Sequence, residues 1–160
     1  LLDDAIATYG PATAIEFRGR KISYDELGRE AERFAAALLR AGVGPLALYL
    51  PNTPYHPIAF FGGAKAGARM AHLSPLDAER ELAHKLRDSG ARVLVTTNVA
   101  DMAGRAEALL EAGLLDLVIV GEDAGFGPGP TPSGPIPERP GLVPLSFFVA
   151  GAEPPAAWPK

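Results

Sequence analysis

The chain has 160 residues, a length suited to one domain, and its 48% hydrophobic and 21% charged content excludes a disordered polymer. A net charge of −4 leaves no electrostatic footprint for nucleic acid or an anionic membrane surface. The absence of cysteine excludes disulfides and thiolate metal sites, which fits a cytoplasmic protein. The first ten residues, LLDDAIATYG, carry no basic n-region and no long apolar run, so they do not read as a signal peptide. No stretch approaches the ~18 uninterrupted apolar residues of a membrane span.

In chain order, TAIEF and RKIS are short alternating runs separated by Arg18-Gly19, which predicts a hairpin near 14–22 as a separate, peripheral element. Ser23 followed by Glu26 has the spacing of a capping box, in which hydroxyl and carboxylate each satisfy an orphan amide. Behind it Leu27, Ala31, Phe34, Ala35, Leu38 and Leu39 recur on one helical stripe, and Gly42 supplies the left-handed stop. LALYL, 46–50, is a continuous apolar strand. A small-residue helix follows over 54–66, where Pro54 and Pro57 are tolerated only in the first turn. Further strands are expected near 69–73, 92–96 and 116–120. The intervening helices cover 77–90, with Asp77 as candidate N-cap and Gly90 just past the end, and 99–112.

Strand-helix alternation with unbroken apolar strands predicts an α/β fold: a mainly parallel sheet with helices on both faces, plus the small hairpin. Residues 1–120 hold six of the sixteen prolines, whereas 121–160 hold the other ten and seven glycines. Residues 1–120 are therefore read as a scaffold subdomain and 121–160 as an extended Pro/Gly-rich connection, since proline lacks the amide donor and glycine loosens helix and strand alike. Leu142, Val143, Leu145, Phe147, Phe148 and Trp158 in that connection are expected to lack cover of their own. The expected result is self-association, or a tail folded back over the exposed area.

The glycines of GGAKAGA, Gly62 to Ala68, lie before a strand, the reverse of a phosphate-cradling loop, so they read as packing between helix and strand. Lys65 reads as a solvated cation at a helix C-terminus. GFGPGPTPSG, 125–134, follows a strand, but prolines stand where a helix would open and no Gly-Lys-Ser/Thr follows. Ser74, Ser89 and Ser133 lie outside any Gly-x-Ser-x-Gly elbow. The acid pairs Asp3/Asp4 and Glu79/Glu81 diverge on helices. His56, His72 and His84 are too scattered in sequence for a metal cage and read as loop or surface residues. No residue is put forward as catalytic, cofactor-binding or metal-ligating.

Three stretches in register resemble the adenylate-forming (AMP-binding) superfamily: ISYDEL with the helix behind it, LYLPNTPYHPIAFFGGAKAGARMAHLSPLDAEREL, and HKLRDSGARVLVTT. The resemblance covers about Pro11 to Val120 and is closest to fatty-acyl-CoA synthetases and related carboxylate:CoA ligases, because His72-Leu73-Ser74-Pro75 replaces the Pro-Leu-Asp-Pro run of peptide-synthetase domains. It implies that a full-length parent uses ATP, magnesium and CoA, with a fatty acid or other carboxylate as substrate, and that this chain is an inactive N-terminal fragment whose partner is the remainder of its own polypeptide. The family's serine-, threonine- and glycine-rich phosphate loop is expected shortly after Trp158, and Pro159-Lys160 does not match it. The family's adenine segment, ribose-contacting aspartate and lid lysine have no counterpart either, so no catalytic residue and no cofactor site carries over. Gly44-Pro45-Leu46 is shorter than the usual Gly-Asp-x-Val of the family, which reads either as a true deletion or as a few residues missing between Pro45 and Leu46. Two other readings stay open: a standalone non-catalytic binding module on the same scaffold, and an unrelated flavodoxin-like enzyme.

Overall fold

The computed structural model describes residues 1–159. Helix α1 (Leu2–Tyr9) leads into an antiparallel hairpin, β1 (Thr13–Phe17) and β2 (Arg20–Ser23), which forms its own two-stranded sheet. Its two-residue turn has Arg18 at φ 51° and Gly19 at φ 78°. Positive φ at both positions matches the right-handed twist of the flanking strands. Ser23 caps α2 (Tyr24–Arg40), its hydroxyl accepting from the Glu26 amide at 3.1 Å. The Glu26 carboxylate accepts instead from the Arg20 guanidinium at 2.7 Å, so only one arm of the expected capping box forms.

The second sheet is parallel throughout, with five strands in the order β4 (Met70–Leu73), β3 (Leu46–Tyr49), β5 (Val93–Thr97), β6 (Leu117–Gly121), β7 (Leu142–Pro144). Helix α3 (Tyr55–Lys65) links β3 to β4, α4 (Glu79–Ser89) links β4 to β5, and α5 (Met102–Glu111) links β5 to β6. The central strands alternate between two cores. Leu46, Leu48, Val95 and Ile119 pack with Phe34 and Leu38 of α2 and Ile58 of α3. Ala47, Tyr49, Leu94, Val118 and Val120 pack with Leu82 and Leu86 of α4 and Ala106 and Leu109 of α5. This is the expected three-layer α/β architecture with a separate hairpin.

Three local expectations change. On α2 the stripe is buried from Leu27 to Leu38, but Leu39 is 37% exposed. Asp77 does not cap α4: Ala78 is the N-cap, its amide donates to the Glu81 carboxylate at 3.0 Å, and Asp77 instead accepts from the Ser74 amide and the Lys85 ammonium. The third change lies in 121–160, which is more than loop. A 3₁₀ turn (Asp123–Phe126), strand β7 and the short helix α6 (Leu145–Phe148) interrupt it. Pro144 is tolerated because β7 is an edge strand. Leu142 and Leu145 are buried at 5% and 8% exposure, so they are not the uncovered surface expected; Phe147, at 75%, is. Arg40 of α2 donates to the carbonyls of Phe148 and Ala150, closing the C-terminus of α6.

Helices α2 and α3 meet through Gly62. A Cβ there would lie 2.7 Å from the Ala31 carbonyl oxygen and 2.8 Å from Phe34 Cδ1. At Gly63 it would meet Met70 Sδ at 2.7 Å, so the glycines serve helix–helix as well as helix–strand packing. Gly62→Ala is therefore expected to destabilise the fold by about 1–3 kcal/mol through overpacking. Gly44→Ala, where a Cβ meets nothing within 4 Å, should change it by less than about 0.5 kcal/mol. Urea unfolding of both variants measures the contrast.

Candidate functional site

In an open parallel sheet the ligand crevice lies beyond the carboxyl ends of the strands, where strand order reverses. Here that point falls between β3 and β5. Thr53, Thr96, Thr97, Asn98 and Asp123 are buried near these ends, and the hydroxyls of the three threonines meet no hydrogen-bonding partner. The edge is nevertheless covered. Asn98 donates its side-chain amide to the Gly134 carbonyl at 2.7 Å and accepts from the Asp123 amide at 2.8 Å. Asp123 takes a hydrogen bond from Ser133 at 3.0 Å and an ion pair from Arg18 at 2.8 Å, and Arg18 also donates to the Gly127 carbonyl. The loop around 127–134 is thus tied down across the strand ends.

An open cleft of about 310 Å³ lies beside this edge, between α2, α3, the 3₁₀ turn and α6. Ile22, Leu27, Ile58 and Phe126 supply apolar walls, and Arg20, Glu26, Glu122 and Tyr55 the polar rim. Each rim group already has a partner. Arg20 pairs with Glu26, Ser146 donates to Glu122 at 3.1 Å, and the Tyr55 hydroxyl donates to the Glu122 carbonyl at 2.8 Å. Burial, then the charges of Glu122 and Asp123, push the Tyr55 hydroxyl up to about 12, so it is neutral at pH 7 and is no base. The cleft can hold a small apolar or amphipathic group, and its lining sets the Ser146 hydroxyl against the Glu122 carboxylate.

Ser74 accepts from the Leu76 amide, Ser89 donates to the Leu86 carbonyl and Ser133 donates to Asp123. Asp3 pairs with Lys65 and Asp4 with the N-terminal ammonium, while Glu81 accepts from the Ala78 amide. Lys65 is not solvated. Its side chain is 13% exposed, it pairs with Asp3 and Glu32 at 2.8 Å each, and it stands 5.3 Å from the Trp158 ring centre. Burial alone would lower its pKa, but the hydrogen bonds to Asp3 and Glu32 outweigh it and the pKa is raised. Lys160 lies outside the described residues. Of the histidines, His56 and His72 meet across α3 and β4, a contact that two positions sixteen residues apart do not signal.

The residues present do not fit ATP with magnesium. The glycines of 125–134 open no helix, their loop is hydrogen-bonded to the sheet edge, and among the described residues no three acidic or histidine side chains converge as metal ligands. No helix among them is long and apolar enough to cross a membrane.

The layered parallel sheet with a separate two-stranded hairpin is an α/β fold. A sequence-family profile for AMP-binding enzymes matches residues 2–138. A long-chain-fatty-acid–CoA ligase of Bacillus subtilis is 28% identical over 133 residues, 81% of this chain and 23% of the relative. A feruloyl-CoA synthase of an Amycolatopsis species is 37% identical over 113 residues, 66% of this chain and 23% of the relative. The structure superposes on a benzoate CoA ligase from Burkholderia xenovorans with a TM-score of 0.76 at 23% identity, covering 98% of this chain and 29% of that one, which shows a shared fold. The chain belongs to the AMP-binding enzyme family and corresponds to an N-terminal portion of it. It spans about a quarter of the length of the relatives it matches.

Tyr55→Phe tests the rim. It removes the bond to the Glu122 carbonyl but keeps the ring 4.8 Å from Phe126, and should cost about 0.5–1.5 kcal/mol. Because the folded pKa is raised, the stability this phenol contributes is present below its ordinary value near 10 and is lost as pH rises toward about 12. Burial also raises the phenol of Tyr49, so ultraviolet titration should show one fewer late-ionising tyrosine in the variant than in the parent.

Proposed function

We propose that the chain is the N-terminal part of an ATP-dependent carboxylate:CoA ligase. The full polypeptide joins a fatty acid or related carboxylate to AMP and then to CoA, and these 160 residues alone do not. One observation carries the reading: the family profile runs over 2–138, while the chain spans 23% of the Bacillus relative, whose name specifies long-chain fatty acid–CoA ligation. The tied-down loop at 127–134 and the paired charges of the cleft support the second half, since neither leaves free groups to orient ATP or to stabilise developing charge. The described residues form no cradle for nucleotide or its metal.

The alternative of a non-catalytic module has one feature in its favour. Leu142, Leu145 and Val149 of the 121–160 segment are buried in the two cores of the rest of the chain, as they would be in a self-sufficient unit. Carboxylate-dependent ATP–pyrophosphate exchange separates the two. The purified 160-residue chain should give none with long-chain fatty or aromatic acids, and the same residues continued by the family's phosphate-loop and lid segments should give it. Exchange by the chain alone would overturn the assignment of chemistry to the remainder. A longer polypeptide silent across a panel of carboxylates would overturn the ligase reading.

A further inference from the structure

His56 lies in the first turn of α3, and His72 lies on β4 at the edge of the large sheet. His56 Nε2 stands 3.4 Å from His72 Nδ1, with ring centroids 5.5 Å apart and planes at 87°. Two imidazole nitrogens on one tetrahedral cation, each at the zinc–nitrogen distance of about 2.0–2.1 Å, are separated by about 3.3–3.4 Å. The observed spacing matches the bite of a two-histidine chelate.

Both rings are held in place. The ladder pairs His72 with Leu48 of the central strand β3, and the Phe60 ring lies 5.8 Å from the His72 ring. Ile58 and Ala59, just beyond His56, are buried in the core and fix the start of α3. His56 is half-buried and His72 exposed, so a cation can reach them from solvent. Among the described residues no third histidine, aspartate or glutamate completes the set, so the remaining positions belong to water or another incoming donor.

We propose that His56 and His72 form an open two-imidazole site for a late first-row divalent cation, of which zinc, copper and nickel suit imidazole ligands. Calcium and magnesium, which require oxygen ligands, are excluded. Binding needs no net proton release. The ring that donates the inter-ring hydrogen bond shifts its proton through water to its other nitrogen, leaving His56 protonated on Nδ1 and His72 on Nε2, and the two facing nitrogens then bind the metal.

Zinc chloride titrated into the 160-residue chain at pH 7.5, followed through the imidazole carbon-bound protons by NMR, tests this. The His56 and His72 resonances should move together at 1:1 stoichiometry, with His84 unchanged and magnesium without effect. His56→Gln and His72→Gln should each weaken binding at least about tenfold, or 1.4 kcal/mol. His84→Gln should leave it unchanged. Far-ultraviolet circular dichroism establishes that each variant is folded, and His72→Gln, on the solvent side of an edge strand, keeps the test available if His56→Gln is not. Equal response of His84, no shift at millimolar zinc, or binding retained within twofold in the folded His72 variant would overturn the proposal.

Discussion

The close approach of α2 to α3 at Gly62 is the constraint on which this molecule depends. With no Cβ at that position, the helix backbone sits directly against the Ala31 carbonyl and the Phe34 ring. Phe34 is then fully buried, and α2 can lie alongside α3 on the same face of the sheet as Leu46, Leu48 and Ile119. The same approach delivers Lys65, at the end of α3, to Glu32 on α2 and Asp3 on α1. One lysine thus ties three helices and also faces Trp158 from the far end of the chain. A partly desolvated cation needs such partners, because without them its burial would favour the neutral amine.

The architecture was legible because the strands that matter are covered on both faces. LALYL is apolar at every position, and all four residues of β3 are buried. Sequence alone cannot say which of these side chains faces which core, and the structure divides them strictly by turns. The short elements were not legible. Helix α1 has eight residues and buries only Leu2; what docks it is Ile6 against Gly28, a contact whose sequence trace is a single glycine inside α2. Strand β7 is three residues long, ends in proline and follows glycine, so every local signal argues against it. Pairing with β6 at the sheet edge overrides them.

Side-chain roles were partly legible where they are local, although Asp77 and the Glu26 arm took other partners, and were lost where they are not. The Ser23 cap is a three-residue relation and could be read directly. Lys65 was misread as solvated because its partners lie 62 and 33 residues away. His56 and His72 belong to a helix start and an edge strand, and only the β3–α3–β4 crossover brings them together. Glycine spacing alone likewise did not decide whether 125–134 is a phosphate loop. The absence of a helix behind it does, together with its bonds to Asn98.

Those bonds also explain how a Pro/Gly-rich segment becomes ordered. Proline restricts the chain before folding, so fixing it loses less entropy than its irregular backbone suggests. The remaining order comes from outside the segment. Asp123, 2% exposed on its side chain, receives Arg18 from the hairpin turn and Ser133 from the loop. A buried carboxylate left without its guanidinium is costly, about 3–5 kcal/mol when one partner of such a pair is removed. The hairpin is therefore tied to the fold by more than its contact with α2. Its turn, set by the positive φ of Arg18 and Gly19, aims a cation at the carboxyl end of β6, and that cation holds the segment across the edge of the sheet. A two-residue turn near the N-terminus and a proline-rich loop more than a hundred residues later thus form one electrostatic unit, and the carboxyl edge of the sheet is closed by it.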